Sequence, residues 1–216
     1  MAARTLVFDL DGTLVDSVPD LAAALNHLMA ARGLAAFSLA EVTGFVGDGV
    51  AALVQRGFAA RGVAQDPAAL AEFNADYNAH AADRTVPFPE VPETLARLAG
   101  LGWRMAICTN KPEVPARSLL AALGLDHYFT AIGGGDSFPV RKPDPAHLLA
   151  TLAAAGGDKQ RAVMVGDHHN DINAASGAGL PSILAAWGYT PGVQGATATA
   201  RMFKDVPAIA ESLIAK

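Results

Sequence analysis

The sequence predicts an α/β protein in which helices cover both faces of a parallel sheet, with an all-helical segment inserted near the start. Three observations predict this fold. A short apolar run at 5–8 stops at two acids, residues 16–84 show helical periodicity without strand-like alternation, and helices and strands alternate from about residue 92 onward. Such alternation is typical of parallel sheets with helices on both faces. We therefore expect a Rossmann-like three-layer core with an inserted all-helical cap domain.

The first element is a buried strand that ends at a turn. Residues 5–8 read Thr-Leu-Val-Phe, and Asp-Leu-Asp-Gly-Thr follows at 9–13. An apolar, β-branched run that stops at Asp and Gly indicates a strand opening into a turn. Asp9 and Asp11 are then expected at the carboxyl end of this strand.

A helical segment follows the turn. Ser17 and Asp20 form a Ser-x-x-Asp capping signature for a helix of about four turns, and Gly33 is a suitable stop for it. Further helices are predicted at 39–45, 49–61 and 67–82.

A proline-rich segment at 86–92 ends the helical part of the chain. It is stiff, because each proline fixes its own backbone angle and restricts the residue before it. A domain boundary is expected near it. The predicted domains are therefore a helical cap at 16–84 and a catalytic core made of 1–15 and 85–216.

The remaining chain alternates between helix and strand, which predicts the parallel sheet. Helices are predicted at 92–101, 114–123, 145–155 and 171–178, with a last amphipathic helix at 206–215. Strands are predicted at 104–109, 129–133, 162–166 and 182–185. Ligands of such sheets bind beyond the carboxyl ends of the strands.

Composition and charge narrow the classes of function. The 216 residues are 51% hydrophobic and 17% charged, with a mean hydropathy of +0.26, so we expect a packed globule. A net charge of −5 argues against a general nucleic-acid surface, which needs clustered Lys and Arg. No stretch reaches the roughly 18 apolar residues that a membrane span requires. Small ligands are the expected partners.

The cysteine content and the first residues of the sequence indicate in which cellular compartment the protein is expected. Cys108 is the single cysteine, so neither a disulfide within the chain nor a cysteine cluster for zinc can form. Residues 1–5 lack the basic region and long apolar run of a secretory signal. A cytoplasmic location is therefore expected.

Polar groups follow several of the predicted strands, whose carboxyl ends converge in a parallel sheet. Carboxylates gathered in a dry cleft need a balancing cation, because like charges resist burial. Oxygen ligands without a cysteine cluster favour Mg²⁺ over zinc. The polar groups are Asp9 with Asp11, Thr109 with Asn110, Lys142 after a strand and loop, and Asp167 with Asp171.

Four segments carry a family resemblance. They are Asp-Leu-Asp-Gly-Thr-Leu-Val-Asp-Ser at 9–17, Thr-Asn-Lys at 109–111, Lys-Pro-Asp-Pro at 142–145 and Gly-Asp-His-His-Asn-Asp-Ile at 166–172. In this order they resemble the four motifs of the haloacid dehalogenase superfamily of phosphohydrolases, and the resemblance covers nearly the whole chain. It points to the phosphoglycolate phosphatase branch, whose helical cap is inserted after the first motif.

The resemblance implies a phosphatase that forms a covalent aspartyl-phosphate on Asp9. Asp11 would act as general acid and then as general base. Thr109 and Asn110 would donate hydrogen bonds to phosphoryl oxygens. Lys142 would place a positive charge beside them and offset charge in the transition state.

The resemblance also implies a Mg²⁺ cofactor. The side chains of Asp9 and Asp167 and the backbone carbonyl of Asp11 would hold the ion. Asp171 is expected to orient waters or Lys142. The hydroxyl of Thr13 is expected to help orient the acids.

The cap is expected to supply substrate contacts. Arg56 lies in the insert, after Gly-Asp-Gly at 47–49. Its planar guanidinium suits a substrate carboxylate. A solvent-facing arginine on an amphipathic helix is the alternative.

Relatives on this scaffold include dehalogenases, phosphonate hydrolases and sugar phosphomutases, so the fold alone does not settle the reaction. Asp11 is a general acid that a dehalogenase does not need. The first lysine is Lys111, beyond the insert, so the cap lysine of a phosphonate hydrolase is missing. Ser-Val-Pro-Asp at 17–20 stands where a β-phosphoglucomutase relative carries a histidine.

Hydrolysis of a small phosphomonoester remains, and 2-phosphoglycolate is the expected substrate. Sugar phosphates, pyrophosphate and nucleoside monophosphates stay open as alternatives. A non-catalytic phosphate-binding regulator is a further alternative, although the chain keeps Asp9, Asp11 and Lys142. The expected partner is a small phosphorylated metabolite, with no nucleic acid and no membrane, and the chain would act as a monomer or homodimer.

Other conspicuous residues have simpler interpretations. His168 and His169 are expected to diverge in a solvated loop rather than bind a transition metal. Cys108 is expected to be a packing residue. The three glycines at 133–135 lack the pattern of a phosphate loop and are interpreted as a flexible turn. Asp144 is expected to cap the helix that Lys142-Pro-Asp-Pro introduces.

Overall fold

A six-stranded parallel sheet forms the centre of the computed structural model, which describes residues 3–214. The sheet order is β5-β4-β1-β6-β7-β8, and every pairing in it is parallel. Numbered along the chain, these strands are β1 (Thr5–Phe8), β4 (Arg104–Cys108), β5 (Ala131–Gly133), β6 (Ala162–Gly166), β7 (Ser182–Ala185) and β8 (Ala198–Ala200). The short strands β2 (Val15–Asp16) and β3 (Val86–Pro87) form a separate antiparallel ribbon.

Helices make up about half of the rest of the described chain. Four of them lie between β2 and β3: α1 (Val18–Ala30), α2 (Leu39–Thr43), α3 (Val50–Ala60) and α4 (Ala69–His80). The others alternate with the strands of the sheet or follow it: α5 (Val91–Gly100), α6 (Glu113–Ala122), α7 (Pro145–Ala154), α8 (His169–Ala178) and α9 (Val206–Ile214). The predicted fold class is confirmed. Within residues 3–214, no helix combines the length and the apolar character that crossing a membrane demands.

The sheet is buried on both faces because its central strands are apolar throughout. All four residues of β1 and all five of β6 are buried. Successive side chains of a strand point to opposite faces. Accordingly, Leu6 and Phe8 pack in one hydrophobic cluster, whereas Val7 packs in another with Met164 and Leu148.

The helices between β2 and β3 have a hydrophobic cluster of their own. Leu25 and Met29 of α1, Val54 of α3 and Phe73 of α4 are fully buried in it. Both connections between this helical cap and the core run through the ribbon, where Val15 lies opposite Pro87 and Asp16 opposite Val86. The cap therefore packs as a unit that leaves and re-enters the core at one place.

The helix predicted from Ser17 is present as α1, but the predicted role of the Ser17 side chain as its cap is wrong. Ser17 is the residue before α1, but its side chain makes no capping bond. Its hydroxyl instead donates to Asp11 Oδ1 at 2.6 Å. Asp20 accepts from the backbone N–H groups of Arg84 at 3.0 Å and Thr85 at 2.8 Å, so it ties the first turn of α1 to the end of the cap.

Three strands were not predicted, namely β2, β3 and β8. The other predicted elements are present with slightly shifted ends; the strand predicted at 129–133, for example, begins at Ala131. Ala215, at the end of the predicted last helix, lies outside the described residues.

Candidate active site

The register of the sheet brings predicted site residues to one edge. Phe8, the last residue of β1, is paired at the same level with β4 on one side and β6 on the other. Asp9, Thr109 and Asp167 directly follow these three adjacent strands. The Asp9 backbone N–H donates to Val165 O at 2.9 Å, so the pairing continues into the site.

Three buried carboxylates lie close together, and two of them contact one ammonium group. Asp9, Asp167 and Asp171 each offer an oxygen within 4.8 Å of the others. Lys142 Nζ lies 2.9 Å from Asp9 Oδ1 and 2.5 Å from Asp171 Oδ1. The other oxygen of Asp171 accepts the backbone N–H of His168 at 3.0 Å. Asp171 is thus fully engaged and holds Lys142 beside Asp9.

Burial and repulsion disfavour negative charge on two of these acids. Burial raises the pKa of Asp9 to about 6; the Asp171 carboxylate adds to the increase, and Lys142 opposes it. Burial, with the charges of Asp9 and Asp171, raises the pKa of Asp167 to about 8. For Lys142, burial alone would lower the pKa, but the Asp171 and Asp9 carboxylates outweigh it and raise the pKa.

The cluster fits a divalent cation. With the three acids ionised and Lys142 protonated, two negative charges stay uncompensated in a buried cleft, which is unfavourable without a bound metal. Although 2.9 Å from Lys142 Nζ, Asp9 Oδ1 receives no well-aligned hydrogen bond from the described residues. A buried carboxylate oxygen without a hydrogen-bond partner is suited to binding a cation. The oxygen donors suit Mg²⁺.

Asp11 lies in a different environment from Asp9. It accepts the hydroxyl of Ser17, and both of its oxygens lie 3.0 Å from Lys111 Nζ. Burial alone would lower the pKa of Lys111, but the Asp11 carboxylate and Tyr77 outweigh it and raise the pKa, so the ammonium is charged. Lys111 was not predicted as a site residue. The available signal was its position in the 109–111 segment.

Asn110 links the core to the cap. Its Nδ2 donates to Gly47 O at 3.0 Å and to Lys142 O at 3.1 Å. Its Oδ1 is buried and finds no hydrogen-bond partner among residues 3–214. Beside it, the Thr109 hydroxyl accepts the backbone N–H of Lys111 at 3.2 Å. In this conformation the amide protons of Asn110 are used by carbonyl groups.

The loop after β7 holds Asp167 in place. Thr13 Oγ1 donates to Asp167 Oδ1 at 3.1 Å, and the backbone N–H of Tyr189 donates to Oδ2 at 2.8 Å. Trp187 Nε1 donates to Thr13 O at 3.0 Å, which joins the two supports. Trp187 and Tyr189 were not predicted as site residues, because their loop carries no recognisable motif.

Gly12 leaves room for this arrangement. It has a φ of 84°, in the left-handed region that favours glycine. A Cβ on Gly12 would lie 2.5 Å from Asp167 Oδ2 and 2.7 Å from the Tyr189 ring. No side chain fits there without moving Asp167.

The cap loop at 47–49 rests on the core. Asn170 Nδ2 donates to Asp48 Oδ1 at 2.7 Å, and Arg56 forms a short ion pair with the other oxygen of Asp48. Burial alone would raise the pKa of Asp48, but the bonds from Asn170 and Arg56 outweigh it and lower the pKa. A Cβ on Gly47 would lie 2.5 Å from His168 Nε2. The cap is therefore closed on the core in this structure.

The guanidinium of Arg56 is used within the cap. It donates to Phe45 O at 2.8 Å and to Asp48. In this closed conformation the group supports the loop at 47–49. Its contact with a substrate carboxylate stays a prediction.

A cavity lies between the closed cap and the strand ends. Its core wall consists of Asp9, Asp11, Thr109, Asn110 and Lys111, and its cap wall consists of apolar residues and glycines from α1, α3 and the 45–50 region. The predicted nucleophile and the predicted general acid thus face one cavity.

The structure also places the two histidines, the cysteine and the helix-capping aspartate that stood out in the sequence. The rings of His168 and His169 lie 4.0 Å apart between centroids, so the expectation that they diverge is wrong. With Asp48, they offer atoms within 4.8 Å of one another. Cys108 is fully buried, and burial raises the pKa of its thiol to about 12, as suits a packing residue. Asp144 caps α7 by accepting the backbone N–H of Ala146 at 2.9 Å.

The three glycines at 133–135 are tightly packed, which contradicts their interpretation as a flexible turn. A Cβ on Gly133 would lie 2.0 Å from Thr151 Oγ1, and one on Gly134 would lie 2.3 Å from the backbone nitrogen of Glu113. A Cβ on Gly135 would lie 2.5 Å from Asn110 O. These glycines let the loop pack directly beneath the site.

The sequence of this chain is similar to those of known hydrolases. The model of a family described as haloacid dehalogenase-like hydrolase matches residues 6–185. A phosphoglycolate phosphatase of Agrobacterium fabrum is 46% identical over 188 residues, which are 85% of this chain and 81% of the relative. A phosphoglycolate phosphatase of Caulobacter vibrioides is 43% identical over 210 residues, which are 94% of this chain and 89% of the relative.

Solved structures show the same architecture. A crystal structure of a predicted phosphoglycolate phosphatase from Haemophilus somnus superimposes with a TM-score of 0.89 at 30% sequence identity. The match covers 96% of this chain and 97% of that one, so it includes both the core and the cap.

Proposed function

The chain belongs to the haloacid dehalogenase-like hydrolase family and is a phosphatase, and we propose that it hydrolyses 2-phosphoglycolate to glycolate and phosphate through an aspartyl-phosphate on Asp9. The resemblance inferred from the four segments is confirmed. The observation that carries the proposed mechanism is the pair of acids facing one cavity, with Asp9 beside Lys142 and Asp11 beside Lys111. The names of the relatives support the substrate.

In the proposed first step, a carboxylate oxygen of Asp9 attacks the phosphorus atom. The bond between phosphorus and the ester oxygen breaks, and protonated Asp11 gives its proton to the leaving glycolate oxygen. The Asp11 carboxylate that results receives the hydrogen bonds of Ser17 Oγ and Lys111 Nζ. Lys142, 2.9 Å from Asp9, offsets negative charge around the phosphoryl group.

In the proposed second step, Asp11 removes a proton from a water molecule. The water oxygen attacks phosphorus, the bond from phosphorus to Asp9 breaks, and inorganic phosphate leaves. Asp9 is again a carboxylate, and Asp11 again carries the proton needed for the next cycle. One residue thus acts as acid and as base, which requires it to stay in contact with the cavity, as Asp11 does.

We propose Mg²⁺ as the cofactor, held by Asp9, Asp167 and the backbone carbonyl of Asp11. When bound, it would reduce the repulsion between the anionic nucleophile and the anionic phosphate. The two negative charges that the fully ionised acidic cluster would leave uncompensated, together with the unsatisfied Asp9 Oδ1, support this assignment. Thr13 and Tyr189 hold the proposed ligand Asp167, and Asp171 holds Lys142 beside the proposed ligand Asp9.

We also propose that residues 16–84 form a cap that opens to admit substrate and closes to exclude water. The core would then consist of 1–15 and 85–216. The separate hydrophobic cluster of the cap and its single point of attachment at the β2–β3 ribbon support this division. The contact between Asn170 and Asp48 supports a specific closed state.

Other small phosphate compounds are alternative substrates, and phosphate binding without catalysis is an alternative function. A sugar phosphate, pyrophosphate or a nucleoside monophosphate would use the same acids, and a non-catalytic phosphate-binding regulator would use the cavity without turnover. The proposed setting is the cytoplasm, with a monomer or homodimer as the acting unit.

The first test is phosphate release from 2-phosphoglycolate with and without Mg²⁺, comparing wild type with Asp9→Asn. We expect fast release that needs both Mg²⁺ and Asp9. The matched control is Asp126→Asn, because Asp126 is exposed and precedes β5, at the opposite edge of the sheet. Faster metal-dependent release from another ester would change the substrate, and no release from any ester by the folded protein would favour the regulator.

A further inference from the structure

The cavity raises the question of what recognises the part of the substrate that is not phosphate. The cap residues that line it carry no charge: they are Leu21, Val46, Gly47, Gly49, Val50 and Leu53. Among the described residues that line the cavity, Lys111 is the one cation. A ligand with a second negative group would therefore meet Lys111 and no charged side chain of the cap wall.

Lys111 is held firmly in this position. Its side chain is 2% exposed, and its Nζ lies 3.0 Å from each oxygen of Asp11. On another side, Nζ lies 4.8 Å from the centre of the Tyr77 ring, which belongs to α4 of the cap. An ammonium over an aromatic face is attracted by the ring. Lys111 thus spans from the general acid of the core to a buried aromatic residue of the cap.

The covalent structure of 2-phosphoglycolate places its carboxylate close to this ammonium. The carboxyl carbon is bonded to the carbon that carries the ester oxygen. Asp11 must touch that ester oxygen to protonate it, and Lys111 touches Asp11. The substrate carboxylate is therefore expected within about one hydrogen-bond length of Lys111 Nζ.

The start of α3 is a second feature that would attract a negatively charged substrate group. Gly49 and Val50 line the cavity, and Gly49 precedes the first turn of α3 without a side-chain capping bond. The N-terminus of a helix carries partial positive charge and free backbone N–H groups. Closure of the cap brings these groups to the same cavity as Lys111.

We propose that Lys111 determines substrate specificity by binding the carboxylate of the substrate, so that the enzyme selects phosphate monoesters whose alcohol part bears a carboxylate next to the ester carbon. This inference rests on the proposed function and assigns the group that recognises glycolate. It replaces Arg56 as the residue that meets the carboxylate, because Lys111 lines the cavity and Arg56 is not among its lining residues.

A role limited to holding Asp11 is the competing explanation, and two substrates separate it from the proposal. Ethyl phosphate has the two carbons and the ester oxygen of 2-phosphoglycolate but a methyl group in place of the carboxylate. A residue that only positions Asp11 affects both esters equally. A residue that binds the carboxylate affects 2-phosphoglycolate selectively.

The experiment measures kcat/KM of wild type and Lys111→Met on both esters with saturating Mg²⁺. We expect wild type to prefer 2-phosphoglycolate, and we expect Lys111→Met to lose about 100-fold on that ester, the size of effect found when one partner of a buried charge pair is removed. The loss on ethyl phosphate should be at least tenfold smaller, so the preference largely disappears. Equal losses on both esters would overturn the proposal.

Controls address folding and charge. Lys159→Met removes an exposed lysine just before β6, at the opposite edge of the sheet, and should leave both rates unchanged. Lys111→Gln, which keeps a hydrogen-bond donor for Asp11, should fold if Lys111→Met does not and should also lose the preference. Retained preference in Lys111→Gln would contradict carboxylate binding.

The same kinetic measurements show which proposal fails, that of the substrate or that of the role of Lys111. If wild type hydrolyses ethyl phosphate faster than 2-phosphoglycolate, the proposed substrate is wrong and the role of Lys111 as a carboxylate ligand is wrong with it. If wild type prefers 2-phosphoglycolate and both Lys111 variants keep that preference, only the role of Lys111 is wrong.

Discussion

At the scale of single residues, two aspartates separated by one position are given different surroundings. Asp9 lies among Asp167, Asp171 and Lys142 in the buried part of the site, and burial raises its pKa to about 6. Asp11 is held by a hydroxyl and an ammonium at the cavity wall. Different surroundings allow two chemically identical side chains to take different roles, as nucleophile and as acid–base.

The raised pKa values predict how stability depends on pH in the metal-free protein. In the unfolded chain these acids titrate near 3.8, and in the folded chain Asp9 titrates near 6 and Asp167 near 8. At pH values between the unfolded and folded pKa values, the folded protein binds more protons than the unfolded chain does. The free energy of unfolding therefore falls as pH rises. We expect the Tm of chelator-treated protein to fall between pH 5 and pH 8, and Mg²⁺ to restore it at pH 8.

Asp167→Asn isolates this effect, because it removes the group with the larger shift and keeps the size of the side chain. Its Tm should fall less steeply over the same pH range and should respond less to Mg²⁺. The difference should reach several degrees, since about 1 kcal/mol shifts the Tm of a protein of this size by about 2–4 °C. Identical slopes for wild type and variant would contradict the assignment.

A second residue-scale prediction concerns Gly12. Gly12→Ala should lower the free energy of unfolding by about 1–3 kcal/mol and weaken Mg²⁺ binding by roughly 10- to 100-fold, because the new methyl group displaces Asp167. Calorimetric unfolding and metal titration measure the two effects. Gly62→Ala is a matched control, since Gly62 also has a positive φ, of 70°, but nothing lies within 4 Å of its Cβ position. Gly62→Ala should leave Mg²⁺ binding unchanged; equal effects of the two variants would refute the steric explanation.

At the scale of elements, the loop between α2 and α3 determines how the cap meets the core. Asp48 is the central group, because it accepts from Asn170 of the core and from Arg56 of the cap. We expect Asp48→Ala to lower kcat/KM roughly tenfold by making the closed state less populated. Asp76→Ala removes another cap carboxylate, one that contacts His27 within the cap, and should have little effect.

Arg56 is expected to act through Asp48. Arg56→Met should lower kcat/KM in the same direction as Asp48→Ala, and the double variant should be little worse than either single variant, because both changes break one network. The losses should be similar on 2-phosphoglycolate and on ethyl phosphate. A selective loss on 2-phosphoglycolate would instead support the prediction that Arg56 binds the substrate carboxylate.

Most elements could be predicted from the sequence because their signals are local. The apolar runs of β1, β4 and β6 and the periodicity of the helices are visible within a few residues. The ribbon β2–β3 was missed because each strand has two residues, and their partners are about seventy positions apart in the chain. Strand β8 was missed because its three residues, Ala-Thr-Ala, carry no run of large apolar side chains, and Thr199 among them is exposed.

The site was predictable only in part, for a similar reason. Asp9, Asp11, Lys142 and Asp167 lie in recognisable segments, each directly after a strand or loop of the core. One partner of Asp11, Ser17, could not be derived from any local pattern, because that residue had a competing interpretation as a helix cap. The supports of Asp167 come from a loop that closes over the strand ends only in the folded chain.

At the scale of the whole molecule, the core and the cap have separate hydrophobic interiors, and the cavity lies between the two parts. Because Asp16 and Val86 lie side by side, residues 17–85 could be replaced by a short turn without moving the core strands. We expect the shortened protein to fold, to bind Mg²⁺ and to lose at least about 100-fold in kcat/KM on 2-phosphoglycolate, since water is no longer excluded and Asp11 loses the hydroxyl of Ser17.

Circular dichroism and metal titration test whether the shortened protein folds and binds the ion. p-Nitrophenyl phosphate is the control substrate, because its activated leaving group depends less on general acid catalysis and enclosure. Its hydrolysis should decrease far less. Unchanged kinetics on 2-phosphoglycolate would show that the cap takes no part in the reaction.

The hydrogen bond from Trp187 to the carbonyl of Thr13 makes the site observable without a label. The chain has two tryptophans, and the other, Trp103, is buried beside Arg4 at the far end of β4. Any rearrangement of Thr13 or Asp167 alters the surroundings of the Trp187 indole and leaves those of Trp103 intact. Intrinsic fluorescence therefore gives a direct signal of ion and ligand binding, and Trp103→Phe would leave that signal to a single emitter.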